Sequence, residues 1–287
     1  MEKDKLIKSP LNYTGGKYKL LPQILPLFPD NINTFVDLFC GGCNVGVNIN
    51  ANKIICNDYI NYIIELFDYW SKNSVENTNS YIEETIKEYN LSLTNENGFK
   101  QLRTKYNKTK NIADLYVLLC YSFNYQIRFN NNQEYNSSFG KNRSQFSKIL
   151  KDKLFEFIKT IQSKNIEFTN VDFSEFNFNQ LTEKDIVYCD PPYLISCGVY
   201  QDGKRGFKGW NEKEEYKLLD ILDELHNKNI KFAISNVFES NSKSNNILKE
   251  WSKKYTINYL SNTYGNCNYQ RKDKDETSTV EVFITNY

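Results

Sequence analysis

The apolar positions fall into two regimes along the chain. TFVDLF (34–39) and KIICND (53–58) are short runs rich in strand formers, and similar runs return at IEFTNVDF (166–173), DIVYC (185–189), IKFAISNV (230–237), YTINYL (255–260) and TVEVFITNY (279–287). Each predicts a strand. Between about 60 and 170 the apolar residues instead recur at helical spacing, as in NYIIELFDYWSK (61–72), SYIEETIKEY (80–89) and ADLYVLLCYSF (113–123), separated by Asn/Lys/Ser linkers. An Asn-rich piece, RFNNNQEYNSSFG (128–140), reads as a hairpin. KEEYKLLDILDELHNK (213–228) predicts one more helix between two late strands. Strands at βαβ distance imply parallel pairing, so the expectation is an α/β fold with a doubly wound, mostly parallel sheet. Residues 1–60 and 171–287 are expected to form its core and 61–170 a helical and hairpin insertion. No internal repeat is visible.

Charge sharpens this division. The chain has 287 residues and a formal net charge of only +1. Residues 100–165 nevertheless hold thirteen Lys/Arg against four Asp/Glu, so that the segment stands at about +9 and the remainder at about −8. A basic segment within an acidic protein is the footprint of a part that meets phosphate, although a solvated lysine-rich helical face would look the same by charge alone. The length suffices for a hydrophobic core without disulfides. Seven cysteines, an odd number, and a lysine-rich start without a signal-peptide pattern lead to an expectation of reduced thiols in a cytoplasm. No apolar run reaches membrane-spanning length.

The richest chemistry lies in VYCDPPY, where a strand runs into Asp190, Pro191, Pro192 and Tyr193. A residue before proline is held extended, and proline has no N–H to donate. The two prolines therefore stiffen a frame carrying one carboxylate, one outward carbonyl and one aromatic ring. Such a unit complements a flat base with an NH₂ group, whose two hydrogens require two acceptors and whose face requires a stacking partner. In an open parallel sheet, ligands bind at the carboxyl ends of strands, where Asp190 falls.

CGGCNVG (40–46) follows the first strand and reads as a glycine turn at a helix start. It lacks both the dinucleotide-binding glycine spacing and a P-loop lysine. Gly41, Gly42 and Gly46 would let a ligand approach the backbone. Asp58, at the end of the second strand, stands where an acid binds ribose hydroxyls in such sheets, so a nucleoside-containing cofactor is expected. Cys40 and Cys43 form a C-x-x-C pair open to a redox reading, but small packing residues are the simpler expectation. The single histidine, His226, sits in an amphipathic helix, and no metal site is expected.

On these motifs, together with SPLNYTGGK (9–17), Asn57-Asp58, FAISN (232–236) and VFITNY (282–287), the chain resembles the Dam-like DNA adenine methyltransferases over nearly its whole length. The resemblance implies a Rossmann-like methyltransferase core with S-adenosyl-L-methionine as cofactor, and a methyl group transferred to the exocyclic N6 amine of an adenine flipped out of duplex DNA. It carries over Tyr13, Lys17, Asp37, Phe39, Gly41, Gly42, Asp58, Asp172, Phe173 and Asp190 as cofactor-binding residues. Lys17 would meet an anionic group of the cofactor, Asp58 its ribose, and Asp172 and Phe173 its adenine. Asp190, Pro191, Pro192 and Tyr193 become the catalytic motif, with Tyr193 stacking on the flipped base.

SFNYQIRFNNNQEYNSSFGK (122–141) is similar to the family's target-recognition hairpin. Phe123, Asn124, Gln126, Arg128, Ser138, Lys141 and Arg143 are accordingly DNA-binding candidates. Arg128 would read guanine, and Lys141 and Arg143 would meet phosphates. Gln126 replaces an apolar residue of Dam, and Ser137-Ser138 replaces a usual x-Pro, which leaves GATC only a default site. SCGVYQDGKRGFKGWN (196–211), rich in Gly, Lys and aromatics, is expected to order over DNA or the base. The implied setting is the cytoplasm of a bacterium or phage-infected cell, with a cognate restriction endonuclease as a conceivable partner. RNA or protein-glutamine methylation, and a catalytically idle DNA-binding module, are the competing readings.

Overall fold

A computed structural model describes residues 6–13, 15–195, 209–240, 242–261 and 279–287. Among them eight strands form one sheet: β1 (Ile32–Asp37), β2 (Ala51–Asn57), β3 (Ile166–Thr169), β4 (Ile186–Cys189), β5 (Lys231–Ser240), β6 (Lys243–Ser244), β7 (Thr256–Leu260) and β8 (Val280–Thr285). The order is β3-β2-β1-β4-β5-β8-β7, with β6 beside β5. The five strands β3, β2, β1, β4 and β5 pair in parallel in that order, and β8 enters antiparallel between β5 and β7. All seven strand-forming runs of the sequence are therefore in the sheet. The central strands are buried on both faces: Phe35, Val36, Val187 and Tyr188 are at most 1% exposed, which is why they read as unbroken apolar runs. The strand order reverses between β1 and β4, so the carboxyl ends of these two strands flank the crevice of a doubly wound sheet.

The helices are α1 (Leu21–Ile24), α2 (Asn61–Lys72), α3 (Val75–Glu88), α4 (Glu96–Thr109), α5 (Ile112–Tyr121), α6 (Lys148–Ser163), α7 (Glu212–Asn227) and α8 (Asn246–Ser252). The polar linkers that separate them are largely their N-caps. Ser74, Asn95, Asn111, Ser147, Asn211 and Asn245 each accept a backbone N–H of the first helical turn. Helix α5 is buried on every side from Ala113 to Tyr121 and forms the centre of the helical insertion. Helices α4 and α6 each bury one narrow stripe, Phe99, Leu102 and Tyr106 in one and Leu154, Phe157, Ile158 and Ile161 in the other.

Alternation along the strands divides the core. Phe35, Tyr188 and Phe283 face α2, α5 and α6, whose Phe67, Leu115 and Phe157 join the same apolar cluster. Val36, Val187 and Ile234 face α7 and α8. The insertion between β2 and β3 is thus a long crossover whose core is continuous with one face of the sheet. One local expectation fails: residues 41–48 are a run of turns and no helix begins there. Gly41 and Cys43 take φ of 47° and 58°, left-handed values that stop helical propagation.

Candidate active site

Asp190 emerges at the end of β4 with its side chain 17% exposed, on the face of the sheet shared by Asp37. The Lys17 ammonium lies 2.7 Å from each carboxylate oxygen and is itself almost buried. Lys17 also donates to the Gly15 carbonyl at 3.2 Å, and its ammonium sits 5.1 Å from the centre of the Tyr193 ring. The Tyr193 hydroxyl donates to Asp190 Oδ1 at 3.1 Å. Burial pushes the Asp190 carboxyl above its ordinary value, while Lys17 and Tyr193 oppose that rise. The sequence reading placed Lys17 against a cofactor anion and Tyr193 against the base. In the structure both contact Asp190.

Beside this cluster the first motif folds into a tight cradle. Asp37 Oδ2 accepts the Gly46 N–H at 3.1 Å, and Asp58 Oδ2 accepts the Gly41 N–H at 2.8 Å. Asp58 Oδ1 accepts the Ile60 N–H at 2.9 Å. Asp37 is 2% exposed, and desolvation raises its pKa to about 8, with further repulsion from Asp190 and Asp58. The Tyr13 ring lies over the turn: a Cβ on Gly41 would come within 2.8 Å of it, and one on Gly42 within 3.3 Å of the Tyr13 Cβ. The glycines therefore make room first for Tyr13. A Cβ on Gly46 would stand 2.5 Å from Cys56 Sγ.

Cys40, Cys43 and Cys56 are buried free thiols beneath this turn, Cys43 Sγ lying 3.4 Å from Cys56 Sγ. Burial raises the Cys40 thiol far above its ordinary range, as suits a packing residue. Among the described residues no group of three or more His, Cys, Asp or Glu side chains is arranged to hold a metal ion.

Across the carboxyl edge, a cavity of about 510 Å³ is lined by Tyr59, Asn170, Val171, Asp172, Ser174, Glu175 and Lys217. Asp172 Oδ1 accepts the Ser174 N–H at 2.9 Å and its hydroxyl at 2.5 Å, which fixes the loop after β3. Asn57 secures the same loop to the first motif, donating to the carbonyls of Leu38 and Val171. Phe39, Phe173 and Trp210 form an aromatic triad with ring centres 5.4 to 5.7 Å apart. The sequence reading included Phe39 and Phe173 but not Trp210, Tyr59, Asn170 or Lys217, which come from separate segments with no motif to join them.

All the hairpin candidates but Arg128 are exposed: Phe123, Asn124, Gln126, Ser138, Lys141 and Arg143. The Arg143 guanidinium lies 4.6 Å from the centre of the Phe123 ring. Arg128 is half-buried, and its Nε is buried without a hydrogen-bond partner. The hairpin is pinned by bridges Ser122–Phe139 and Phe129–Tyr135, and by the Gln126 carbonyl, which accepts from Tyr135 and Ser137. Asn124 and Tyr125 both take positive φ, and Asn12 Nδ2 donates to the Asn124 carbonyl at 2.9 Å, linking the SPLNYTGGK segment to the hairpin. Of the loop expected to close over the site, residues 196–208 lie outside the described residues.

A mostly parallel, doubly wound sheet with an acid at each of its two central carboxyl ends, flanking the strand-order reversal, has the architecture of a Rossmann-like fold. The chain belongs to the D12 class N6 adenine-specific DNA methyltransferases, whose family model matches residues 13–266. It is similar to the type II methyltransferase M.FokI of Planomicrobium okeanokoites, 57% identical over 281 residues, and to the modification methylase StsI of Streptococcus sanguinis, 50% identical over 285 residues. The modification methylase LlaI of Lactococcus lactis subsp. lactis is 35% identical over 284 residues. These alignments cover 98%, 99% and 98% of this chain, which spans 43% of the length of each relative. Among the described residues no helix is long and apolar enough to cross a membrane.

Proposed function

We propose that this chain transfers a methyl group from S-adenosylmethionine to the N6 amine of an adenine rotated out of duplex DNA. The observation that carries this reading is Asp190, a semi-exposed carboxylate at the end of β4, held by Lys17 and Tyr193 beside the cradle of Asp37 and Asp58. The cofactor fits the residues present. The cavity at Asp172 has room for a nucleoside, Phe39 and Phe173 pack together beside Asp172, and Asp58 of the cradle directly precedes Tyr59, which lines the cavity, so that a second lone pair on its carboxylate can take a ribose hydroxyl. When bound, it supplies an electrophilic methyl group on a sulfonium.

The protein's part is to prepare the amine. The lone pair of adenine N6 is delocalised into the ring, so the nitrogen is a poor nucleophile. Asp190 and the Pro191 carbonyl accept its hydrogens, favouring pyramidal nitrogen and stabilising the positive charge that develops there. Lys17 and Tyr193 favour the ionised form of Asp190 and orient it. The Tyr193 ring, on the same rigid dipeptide frame, supports the extruded base. Phe123 and Asn124 occupy the space the base leaves, Arg128 reads a neighbouring base edge, and Lys141 and Arg143 hold phosphates.

The recognition site and a restriction partner acting on it belong to the same proposal. The relatives named as modification methylases favour it, and the departures at Gln126 and Ser138 argue against assuming GATC. Labelled-methyl transfer to duplex DNA, with tRNA and protein as parallel substrates, tests the reading, and sequencing of the methylated DNA locates the site. Label in adenine of the duplex is the expected result; label only in RNA or protein would overturn it.

A further inference from the structure

The first turn of α7 contains a buried acid that the proposed chemistry does not use. Glu215 is 1% exposed, and its two oxygens accept from two different elements: Oε2 from Trp210 Nε1 at 2.6 Å, and Oε1 from Asn245 Nδ2 at 2.8 Å. Asn245, also buried, caps α8 by accepting the Leu248 N–H at 3.0 Å. Among the described residues no Lys or Arg forms an ion pair with Glu215. A buried carboxylate without a cation is costly, and apolar side chains of similar size would stabilise the fold at least as well. Both partners are donors, however, and a carboxylate presents a separate acceptor oxygen to each, where an amide would turn its NH₂ toward one of them.

What this arrangement holds in place is the indole of Trp210. Its ring meets Phe39 edge-on at 5.7 Å and Phe173 at 5.4 Å, Phe39 preceding the glycine turn by one residue and Phe173 following Asp172. Lys217, two residues beyond Glu215, lines the cavity and lies 5.9 Å from the centre of the Phe173 ring. We propose that Glu215 is a positioning residue for the cofactor, fixing Trp210 against Phe39 and Phe173 and so setting the Asp172 and Lys217 walls of the adenine pocket that flank Phe173. This rests on the reading that S-adenosylmethionine occupies the cavity at Asp172.

The test is cofactor affinity measured by titration calorimetry on the whole chain, with S-adenosylmethionine and S-adenosylhomocysteine, alongside duplex-DNA affinity and thermal midpoint. Glu215→Gln sets an amide donor against one of the two donors and is expected to weaken cofactor binding about tenfold, the scale of one lost buried hydrogen bond, with DNA affinity unchanged. The double variant Glu215→Gln/Asn245→Asp reverses the polarity of that contact, keeps the α8 cap and the buried charge, and should restore affinity to within about threefold of the parent. A Glu215→Gln chain with a lower thermal midpoint but parental cofactor affinity would reduce the residue to scaffold and overturn the proposal. So would a folded double variant that fails to recover. If the parent chain itself binds neither compound, the cavity reading fails first, and that result is distinct from parental binding that the variants leave unchanged.

Discussion

Asp190 and Asp37 lie close together but serve opposite requirements. In the proposed reaction Asp190 accepts the amine as a carboxylate, and Lys17 is the main group that opposes its raised pKa. Lys17→Met is therefore expected to shift the acidic limb of the transfer-rate profile upward, read from single-turnover rates between pH 5 and 9. Asp190→Ala should lower the rate by about 10³-fold or more while DNA affinity, followed by fluorescence anisotropy, stays near the parent value. Asp37 is kept neutral by burial. Between its ordinary value of 3.8 and about 8 the unfolded chain ionises this carboxyl while the native state does not. Its contribution to stability is full at low pH and declines as pH rises through that window, by at most about 1.4 kcal/mol per pH unit. Urea unfolding at pH 6 and 8 should show this slope in the parent and a flatter one in Asp37→Asn, which can still accept the Gly46 N–H.

Among the elements, the helical insertion depends on one buried acid. Asp114 on α5 accepts the Tyr81 hydroxyl of α3 at 2.9 Å and meets Lys105 of α4 at 3.3 Å, so a single carboxylate ties three helices. Asp114→Ala should cost about 3 kcal/mol in urea unfolding, the low end for breaking a buried pair since Lys105 is partly exposed, while cofactor affinity is unchanged. The helix α5 run was legible because its apolar residues are dense. Helices α4 and α6 were not singled out, because each buries only a narrow stripe among many Asn, Lys and Gln residues. The linkers looked like spacers, yet their Ser and Asn side chains are caps, a role decided by one backbone N–H two or three residues on. The hairpin was legible as a turn-rich segment. Which of its side chains face outward was fixed only by the bridges at Ser122 and Phe129.

For the whole molecule, a net charge of +1 conceals a basic segment of about +9 opposite an acidic remainder. Non-specific DNA binding should therefore depend steeply on salt, and Lys141→Ala should reduce the slope of log affinity against log salt by about one. Anisotropy titrations between 50 and 200 mM salt measure both.

Local sequence was enough to determine the strands, the carboxylate-proline-proline-tyrosine frame and the glycine turn, since each depends on steric and hydrophobic rules acting within a few residues. It also determined where positive charge accumulates. Tertiary structure alone decided that Lys17, 173 positions away in the chain, neutralises Asp190, that Tyr13 fills the space above Gly41, and that Glu215 aims Trp210 at Phe39 and Phe173. Such partners are chosen by strand order and by which face of the sheet a side chain leaves, and these are settled only when the entire sheet has formed.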